Sequence, residues 1–271
     1  MKFPHLHPSI PAAVALVVAV LAILFIDGLL APDKEEWTAP EIPDEPIVEQ
    51  PIDPLPEDET EARKAELINT LLPRIQYNNR RLLEKRARLK ALGEQAPGNE
   101  LEENDREWLE ELARRYRVPH SGSRIPDGEL VQSLLQRIDI VPADLALAQA
   151  AIESAWGSSR FAREGNNYFG QWCFRPGCGM VPARRPAGRT YEVESYPSAG
   201  EAVRRYMHNL NSHPSYETLR DIREQARHGG EPITGTALAP GLLDYAEIGE
   251  QYIHKVRQMI RQNNFDAFSH Y

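Results

Sequence analysis

One carboxylic acid, Glu153, lies in a stretch that otherwise reads as buried helix, Ala-Ile-Glu-Ser-Ala-Trp-Gly at residues 151 to 157. Desolvation beside Trp156 would disfavour the charged form of this acid, so its pKa should rise and it should hold a proton near neutral pH. Such a group is a general acid, and protonating a glycosidic oxygen requires one. The alternative is that Glu153 is solvated at a helix end or paired with Arg160 or Arg163.

The elements around Glu153 follow each other closely. Its helix should begin near Pro142, because proline suits a first turn, and should end at Gly157. A short helical turn over 158–163 comes next, and the strand character and turn residues of 171–196 predict a β-hairpin or a long loop. Helices are predicted again over residues 199–210, 216–227 and 245–262.

The region before this segment contains amphipathic helices. Apolar residues at helical spacing predict helices over 61–92, 101–116 and 130–138, with Pro73 expected to kink or split the first. Packing within the protein and self-association are both open as roles for the first two helices.

The N-terminus carries a localisation signal. Residues 12–26 are all apolar, and the run resumes after Asp27 and Gly28, so residues 12–31 are about as long as a membrane span. Lys2 precedes this run and acids follow it, which places the remainder outside the cytoplasm. We expect a retained anchor in a bacterial inner membrane, with the rest of the chain in the periplasm. A cleaved signal is the alternative.

Charge and composition divide the chain further. Residues 32–60 include seven prolines among acids and read as an extended spacer. Residues 142–271 carry 14 basic and 14 acidic side chains without a basic cluster, which gives no support for nucleic-acid binding. The predicted divisions are an anchor (1–31), a linker (32–60), an amphipathic helical region (61–118) and a catalytic domain (119–271).

Two motifs together point to a family. The run Leu-Ala-Gln-Ala-Ala-Ile-Glu-Ser-Ala-Trp-Gly-Ser-Ser at 147–159, followed by Asn-Asn-Tyr-Phe-Gly at 166–170, resembles the signature of glycoside hydrolase family 73 glucosaminidase domains, most closely their membrane-anchored Bax-like branch. The resemblance covers about residues 125–271. It implies a mainly α, lysozyme-like α+β domain with a small β-hairpin that cleaves bacterial peptidoglycan next to N-acetylglucosamine, with Glu153 as the acid.

The other motif residues are candidates for substrate binding. Aromatic faces pack on sugar rings, which suggests Trp156, Tyr168 and Phe169 as walls of the groove, although core packing is an alternative for Phe169. Asn166 and Asn167 suit a tight turn, and their amides would bond either a sugar N-acetyl group or the backbone. The resemblance extends to two tyrosines: Tyr206 as a further binding residue, and Tyr245 near the acid, bonding the acetamido group.

The second catalytic group is absent from its expected place. Many members of this family carry a carboxylate on the first strand of the hairpin, but here that strand reads Gly-Met-Val-Pro-Ala-Arg-Arg at 179–185. Glu192, or Glu194 two residues on, is a substitute from the returning strand. Otherwise the N-acetyl oxygen of the substrate attacks the anomeric carbon, or a muramic hydroxyl does, as in lytic transglycosylases.

Cys173 and Cys178 are the only cysteines, and outside the cytoplasm such a pair forms a disulfide. Two thiols without a nearby histidine make a poor metal site, and no cofactor is implied. The function expected is therefore an endo-β-N-acetylglucosaminidase acting on peptidoglycan. The alternatives are a lytic transglycosylase and a catalytically weak wall-binding or scaffolding protein, whose helices over 61–116 bind a partner.

Overall fold

The computed structural model describes residues 58–95, 101–118, 126–183, 185–186 and 188–269. The predicted anchor over residues 12–31 lies outside these ranges, as does the linker up to residue 57. Among the helices in the described ranges, none combines the length and the apolar character needed to cross a membrane.

The described chain is mainly helical, with three short strands. The α-helices are α1 (Glu59–Gln95), α2 (Glu103–Arg115), α3 (Asp127–Arg137), α4 (Ala143–Ser154), α5 (Arg160–Gly165), α6 (Ala199–Ser212), α7 (Glu217–Gly229), α8 (Gly235–Leu238) and α9 (Glu250–Gln262). The strands are β1 (Trp172–Cys173), β2 (Gly179–Met180) and β3 (Glu192–Glu194). Single 3₁₀ turns cover Pro214–Tyr216, Ala239–Leu242 and Phe265–Phe268.

Helix α1 runs through Pro73 without a break, so of the two predicted outcomes, a kink or a split, the split does not occur. Proline removes one helical N–H, at a cost that packing can offset. Leu71 and Ile75, on either side of Pro73, are both fully buried. Each contributes about 1.5 to 3 kcal/mol from the burial of its side chain, which holds both halves of α1 against the same core.

The same helix belongs to the core that contains Glu153. It packs against α3, α4 and α6. The fully buried Asn79 binds the backbone just before α4: its Nδ2 donates to the Val141 carbonyl at 2.8 Å, and the Val141 N–H donates to its Oδ1 at 3.0 Å. Helix α1, from the predicted region 61–118, therefore packs in one compact unit with helices of the predicted catalytic domain, while the boundary at residue 118 stays a prediction.

Helix α4 lies at the centre of this core and ends earlier than predicted. All its residues from Ala143 to Ala151 are buried, which explains why its sequence lacks a polar stripe. It stops at Ser154 rather than Gly157, because Ala155, Trp156 and Gly157 all adopt positive φ angles, of 50°, 60° and 77°. The Ser154 hydroxyl supports this turn by accepting the Gly157 N–H at 2.7 Å. The turn leaves Glu153 in the last turn of the helix.

The three strands form an antiparallel sheet in which β3 is central, in the order β1-β3-β2. The predicted hairpin corresponds to β2 and β3, and β1 is an additional strand. Trp172 and Met180 both lie opposite Val193, whereas Cys173 lies opposite Glu192. Side chains directly opposite each other share a face of the sheet, so Trp172 and Cys173 point to different faces.

Candidate active site

Glu153 is held by a chain of three buried or half-buried polar side chains. The hydroxyl of Tyr252, on α9, donates to Glu153 Oε1 at 2.8 Å. That hydroxyl also accepts from Gln149 Nε2 at 3.1 Å, and Gln149 Oε1 accepts from the hydroxyl of Tyr206, on α6, at 2.7 Å. Gln149 precedes Glu153 by one helical turn, so both side chains lie on the same face of α4.

The direction of these bonds decides where Glu153 can carry a proton. Gln149 uses its NH₂ group on Tyr252, so the single hydroxyl proton of Tyr252 is directed to Glu153 Oε1. Oε1 is thus occupied as an acceptor. The other oxygen, Oε2, has no hydrogen-bond partner among the described residues. An acidic proton on Glu153 is therefore directed to Oε2.

The electrostatics favour a protonated acid. Burial raises the pKa of the Glu153 carboxyl above its ordinary value, while the hydrogen bond from Tyr252 and the positive charge of Lys255 oppose that rise. Part of the burial comes from the close approach of the chain at Gly170, which has a φ of 65°; a Cβ atom there would lie 3.1 Å from Glu153 Oε2. A side chain at Gly170 would fill the space next to the free oxygen.

The alternative of a salt bridge at Glu153 does not occur within the described ranges. Arg160 donates to the Val181 carbonyl at 3.0 Å and lies 3.9 Å from Glu164 instead. Arg163 is exposed. Within the described chain the acid therefore forms no ion pair, and the charge of Lys255 only partly opposes the effect of burial on its pKa.

Trp156 and Tyr168 lie against helix α1. The ammonium of Lys64 is 5.4 Å from the centroid of the Trp156 ring, whose edge also meets Phe265 at 6.0 Å. Burial raises the pKa of the Tyr168 hydroxyl, and the nearby Glu66 raises it further. The ring of Trp156 thus contacts α1 and Phe265, and that of Tyr168 packs against the core, whereas the Glu153 carboxylate contacts Tyr252 and lies next to Gly170.

The two asparagines of the second motif bind the backbone. Asn166 Nδ2 donates to the Tyr196 carbonyl at 2.9 Å. Asn167 is buried, and its amide makes four bonds: Nδ2 donates to the carbonyls of Gln171 and Glu194, and Oδ1 accepts the N–H groups of Phe169 and Gln171. These amides shape the loop that brings Gly170 to Glu153.

Phe169 and Tyr206 lie in the core, where neither side chain can face a substrate. Each is 1% exposed, and their rings stack 4.0 Å apart with an interplanar angle of 8°. The core-packing alternative for Phe169 thus describes its position. Tyr206 reaches the site only through its hydroxyl bond to Gln149.

The tyrosine bonded to the acid is Tyr252, and the sequence prediction did not name it as a site residue. Tyr245, the predicted neighbour of the acid, donates its hydroxyl to the Phe169 carbonyl at 2.8 Å, and its ring stacks on Tyr252 at 5.3 Å. It supports the loop and Tyr252 rather than binding Glu153 directly. Gln149 could have been identified from the sequence, because it precedes Glu153 by four residues and therefore lies on the same face of the helix.

The two candidate substitutes for the second carboxylate have structural partners. Glu192 is 6% exposed, and its oxygens accept the N–H groups of Gly177 at 3.0 Å and Gly179 at 2.9 Å. These bonds hold the pKa of Glu192 below its ordinary value. Glu194 accepts the Tyr196 hydroxyl at 2.9 Å and a bond from Arg205 at 3.3 Å.

A disulfide joins Cys173 and Cys178 beside Glu192. The two sulfurs and one Glu192 oxygen lie within 4.8 Å of one another. Because the disulfide consumes both thiols, only the carboxylate remains as a metal ligand in this cluster. The disulfide therefore ties β1 to the residue before β2, and Glu192 of β3 binds the adjacent Gly177 and Gly179.

A mainly helical fold with a half-buried carboxylic acid at a helix end, one of whose oxygens has no hydrogen-bond partner in the described chain, defines a site suited to glycoside hydrolysis. The comparisons agree with this class. The model of the Glucosaminidase family, described as mannosyl-glycoprotein endo-beta-N-acetylglucosaminidase, matches residues 128–265. The chain is 32% identical to Protein bax of Escherichia coli (strain K12) over 203 residues, which cover 74% of this chain and 70% of that protein. No solved structure matches significantly.

The chain belongs to the Glucosaminidase family, and the predicted class of glycoside hydrolase is confirmed. The family match begins at residue 128, whereas the core begins at α1. Helix α1 is thus a part of the fold that the family model does not include.

Proposed function

We propose that this protein is an endo-β-N-acetylglucosaminidase that cleaves the glycan strand of bacterial peptidoglycan, with Glu153 as the general acid in a lysozyme-like domain. The observation that carries this proposal is the asymmetry of the Glu153 carboxyl: Oε1 is bound by Tyr252, whereas Oε2 lies next to Gly170 without a partner in the described chain. Membership of the glucosaminidase family supports N-acetylglucosamine as the sugar beside the scissile bond.

The reaction begins with proton transfer from Glu153 Oε2 to the glycosidic oxygen, as the bond from that oxygen to the anomeric carbon breaks. Burial supports this step because it raises the pKa of Glu153 and so increases the protonated fraction at a given pH. Tyr252 favours the release of that proton, because its hydroxyl donates a hydrogen bond that stabilises the resulting Glu153 carboxylate.

The acetamido oxygen of the substrate serves as the nucleophile in this proposal. Glu192 and Glu194 are engaged with backbone N–H groups, Tyr196 and Arg205, which supports a route without a protein nucleophile. The acetamido oxygen attacks the anomeric carbon while the leaving sugar takes the proton of Glu153. Water then opens the cyclic intermediate and returns one proton to Glu153, so the enzyme ends in its starting state.

Location completes the proposal. An anchor over residues 12–31 and a spacer over 32–60 would hold the catalytic unit in the periplasm, where its substrate lies. Labelling an introduced surface cysteine with a membrane-impermeant reagent in intact spheroplasts tests this location. Protection of the cysteine from the reagent would contradict it.

The test of the chemistry uses the purified full-length chain and Glu153→Gln, each incubated with peptidoglycan, with the released ends identified by mass spectrometry. Glutamine keeps the size of the side chain but carries no acidic proton, so turnover should fall by about 10² to 10⁴. Reducing N-acetylglucosamine ends that depend on Glu153 are expected. Anhydromuramic ends would assign a lytic transglycosylase instead, and binding without turnover would leave a wall-binding protein.

A further inference from the structure

Within the described ranges, the large apolar side chains that are exposed belong to only two segments of the chain. The first, which we call the hairpin bank, consists of Trp172, Phe174 and Val181, which are 49%, 74% and 48% exposed. The second, the loop bank, consists of Leu243 and Ile248, which are 49% and 46% exposed. Exposed apolar side chains gathered in this way mark binding surfaces, whereas scattered single ones do not.

Both banks are linked to the backbone that borders the acid. The hairpin bank begins two residues after Gly170, which approaches Glu153, and two residues span at most about 7 Å. The loop bank flanks Tyr245, whose hydroxyl binds the carbonyl of Phe169, the residue before Gly170. The Phe169–Gly170 backbone that borders Glu153 therefore continues into the segment of the hairpin bank and is hydrogen-bonded by Tyr245, which lies between the two residues of the loop bank.

Trp172 is presented by a rigid support. Its ring contacts Tyr191 with centroids 4.4 Å apart and planes tilted by 57°, which leaves about half of the side chain exposed. Its strand pairs with the central strand β3, and the next residue, Cys173, is fixed by the disulfide. An aromatic ring held in this way can stack on a sugar without losing much conformational entropy.

The chain segments that carry the two banks have charges of opposite sign. The hairpin segment, residues 171–191, carries Arg175, Arg184, Arg185 and Arg189 and no acid. The loop segment, residues 241–250, carries Asp244, Glu247 and Glu250 and no base. An anionic membrane surface would be repelled by the loop bank, whereas a strand with carboxylates along one edge complements the hairpin bank.

We infer that the two banks form the glycan-binding groove, that Trp172 is a sugar-stacking residue, and that the basic hairpin bank takes the carboxylate-bearing side of the strand. This inference rests on the proposed function. Trp172 takes the sugar-stacking role that was predicted for the aromatic residues of the motif, because Phe169 is buried and Trp156 contacts Lys64 and Phe265.

The test compares the full-length protein with Trp172→Ala on soluble peptidoglycan fragments that keep their stem peptides. Loss of a half-buried aromatic contact should raise KM about tenfold, and kcat should change by less than about twofold because the ring touches no reacting atom. Trp172→Tyr should recover most of the affinity. The matched control is Trp108→Ala, which removes the same side chain from α2, where it packs under Arg88.

Sedimentation onto insoluble peptidoglycan in a Glu153→Gln background separates the two proposals. Weaker sedimentation after Trp172→Ala supports the groove even if the wild type releases no product. Absence of product would refute the proposed hydrolase activity but not the glycan-binding groove. An unchanged KM and unchanged sedimentation would overturn the groove, as would an equal effect of Trp108→Ala. If Trp172→Ala weakened binding to anionic vesicles, or abolished self-association in analytical ultracentrifugation, while KM stayed unchanged, the glycan-groove inference would also be overturned.

Discussion

Two opposed effects set the acidity of Glu153, and the variant Tyr252→Phe separates them. Burial raises the pKa of this carboxyl, and the hydroxyl of Tyr252, 2.8 Å from Oε1, lowers it by stabilising the charged form. A hydrogen bond to a charged group contributes about 1.5 to 3 kcal/mol. Phenylalanine removes this bond and keeps the ring that stacks on Tyr245. Burial is then less opposed, so the pKa of Glu153 rises further.

The pH dependence of kcat/KM measures this change. Glu153 must be protonated to donate, so its ionisation in the free enzyme produces the alkaline limb of the profile. We expect Tyr252→Phe to move this limb to higher pH by about one pH unit or more. The control is Tyr206→Phe, which removes the hydroxyl at the far end of the same chain without touching Glu153. Its limb should move less, in the same direction.

An alkaline limb that stays in place in Tyr252→Phe would refute the assignment, because it would mean that a different group supplies the proton. A limb that moves to lower pH would refute the sign of the hydrogen-bond contribution. Thermal melts of both variants show whether the unpaired Gln149 amide has disturbed the fold, since a buried group without its partner destabilises a protein by about 1 to 3 kcal/mol.

Three other changes test the support of the site. Asn79→Ala removes both bonds to the Val141 backbone, so the free energy of unfolding in urea should fall by about 2 to 4 kcal/mol; an unchanged midpoint would contradict the docking of α1. Burial raises the pKa of the Asp139 carboxyl, but the bond from Arg227 and nearby guanidinium charges lower it below its ordinary value. That carboxylate stabilises the fold above its unfolded pKa and ceases to do so as pH falls through its folded pKa, so the Tm deficit of Asp139→Asn should shrink in acid; a constant deficit would contradict this. Replacing Cys173 and Cys178 with serine should lower the local stability by roughly 2 kcal/mol and speed tryptic cleavage at the arginines of residues 171–191. Equal cleavage rates would argue against stabilisation by the disulfide.

The helices could be predicted closely because periodic apolar residues show which face is buried. Helix α1 was predicted over 61–92 and spans Glu59–Gln95. Its partner could not be predicted, since an apolar face packs equally well on its own chain or on another protein. The early end of α4 at Ser154 was also hidden, because it depends on left-handed φ angles at Ala155 and Trp156 that neither residue type favours.

The candidate acid could be predicted, but its surroundings could not. Glu153 could be identified because it is the lone carboxylate in the apolar stretch of residues 145–156, where an acid is unusual. Periodicity does not say which aromatic rings point into the core, so both the groove and the core were open for Phe169, whose side chain is 1% exposed. Trp172 gave no signal of its own, because its strand has only two residues and pairs with a strand 20 residues further on.

The docking of α1 has a consequence for how this protein can be divided and recombined. A fragment cut at the start of the family match, residue 128, would lack α1 and expose the faces of α3, α4 and α6 that it covers. The Val141 backbone would lose both bonds to Asn79. We expect such a fragment to aggregate on expression. Chimaeras that exchange catalytic modules between relatives should therefore place the junction before residue 59, so that α1 stays in the same module as Glu153.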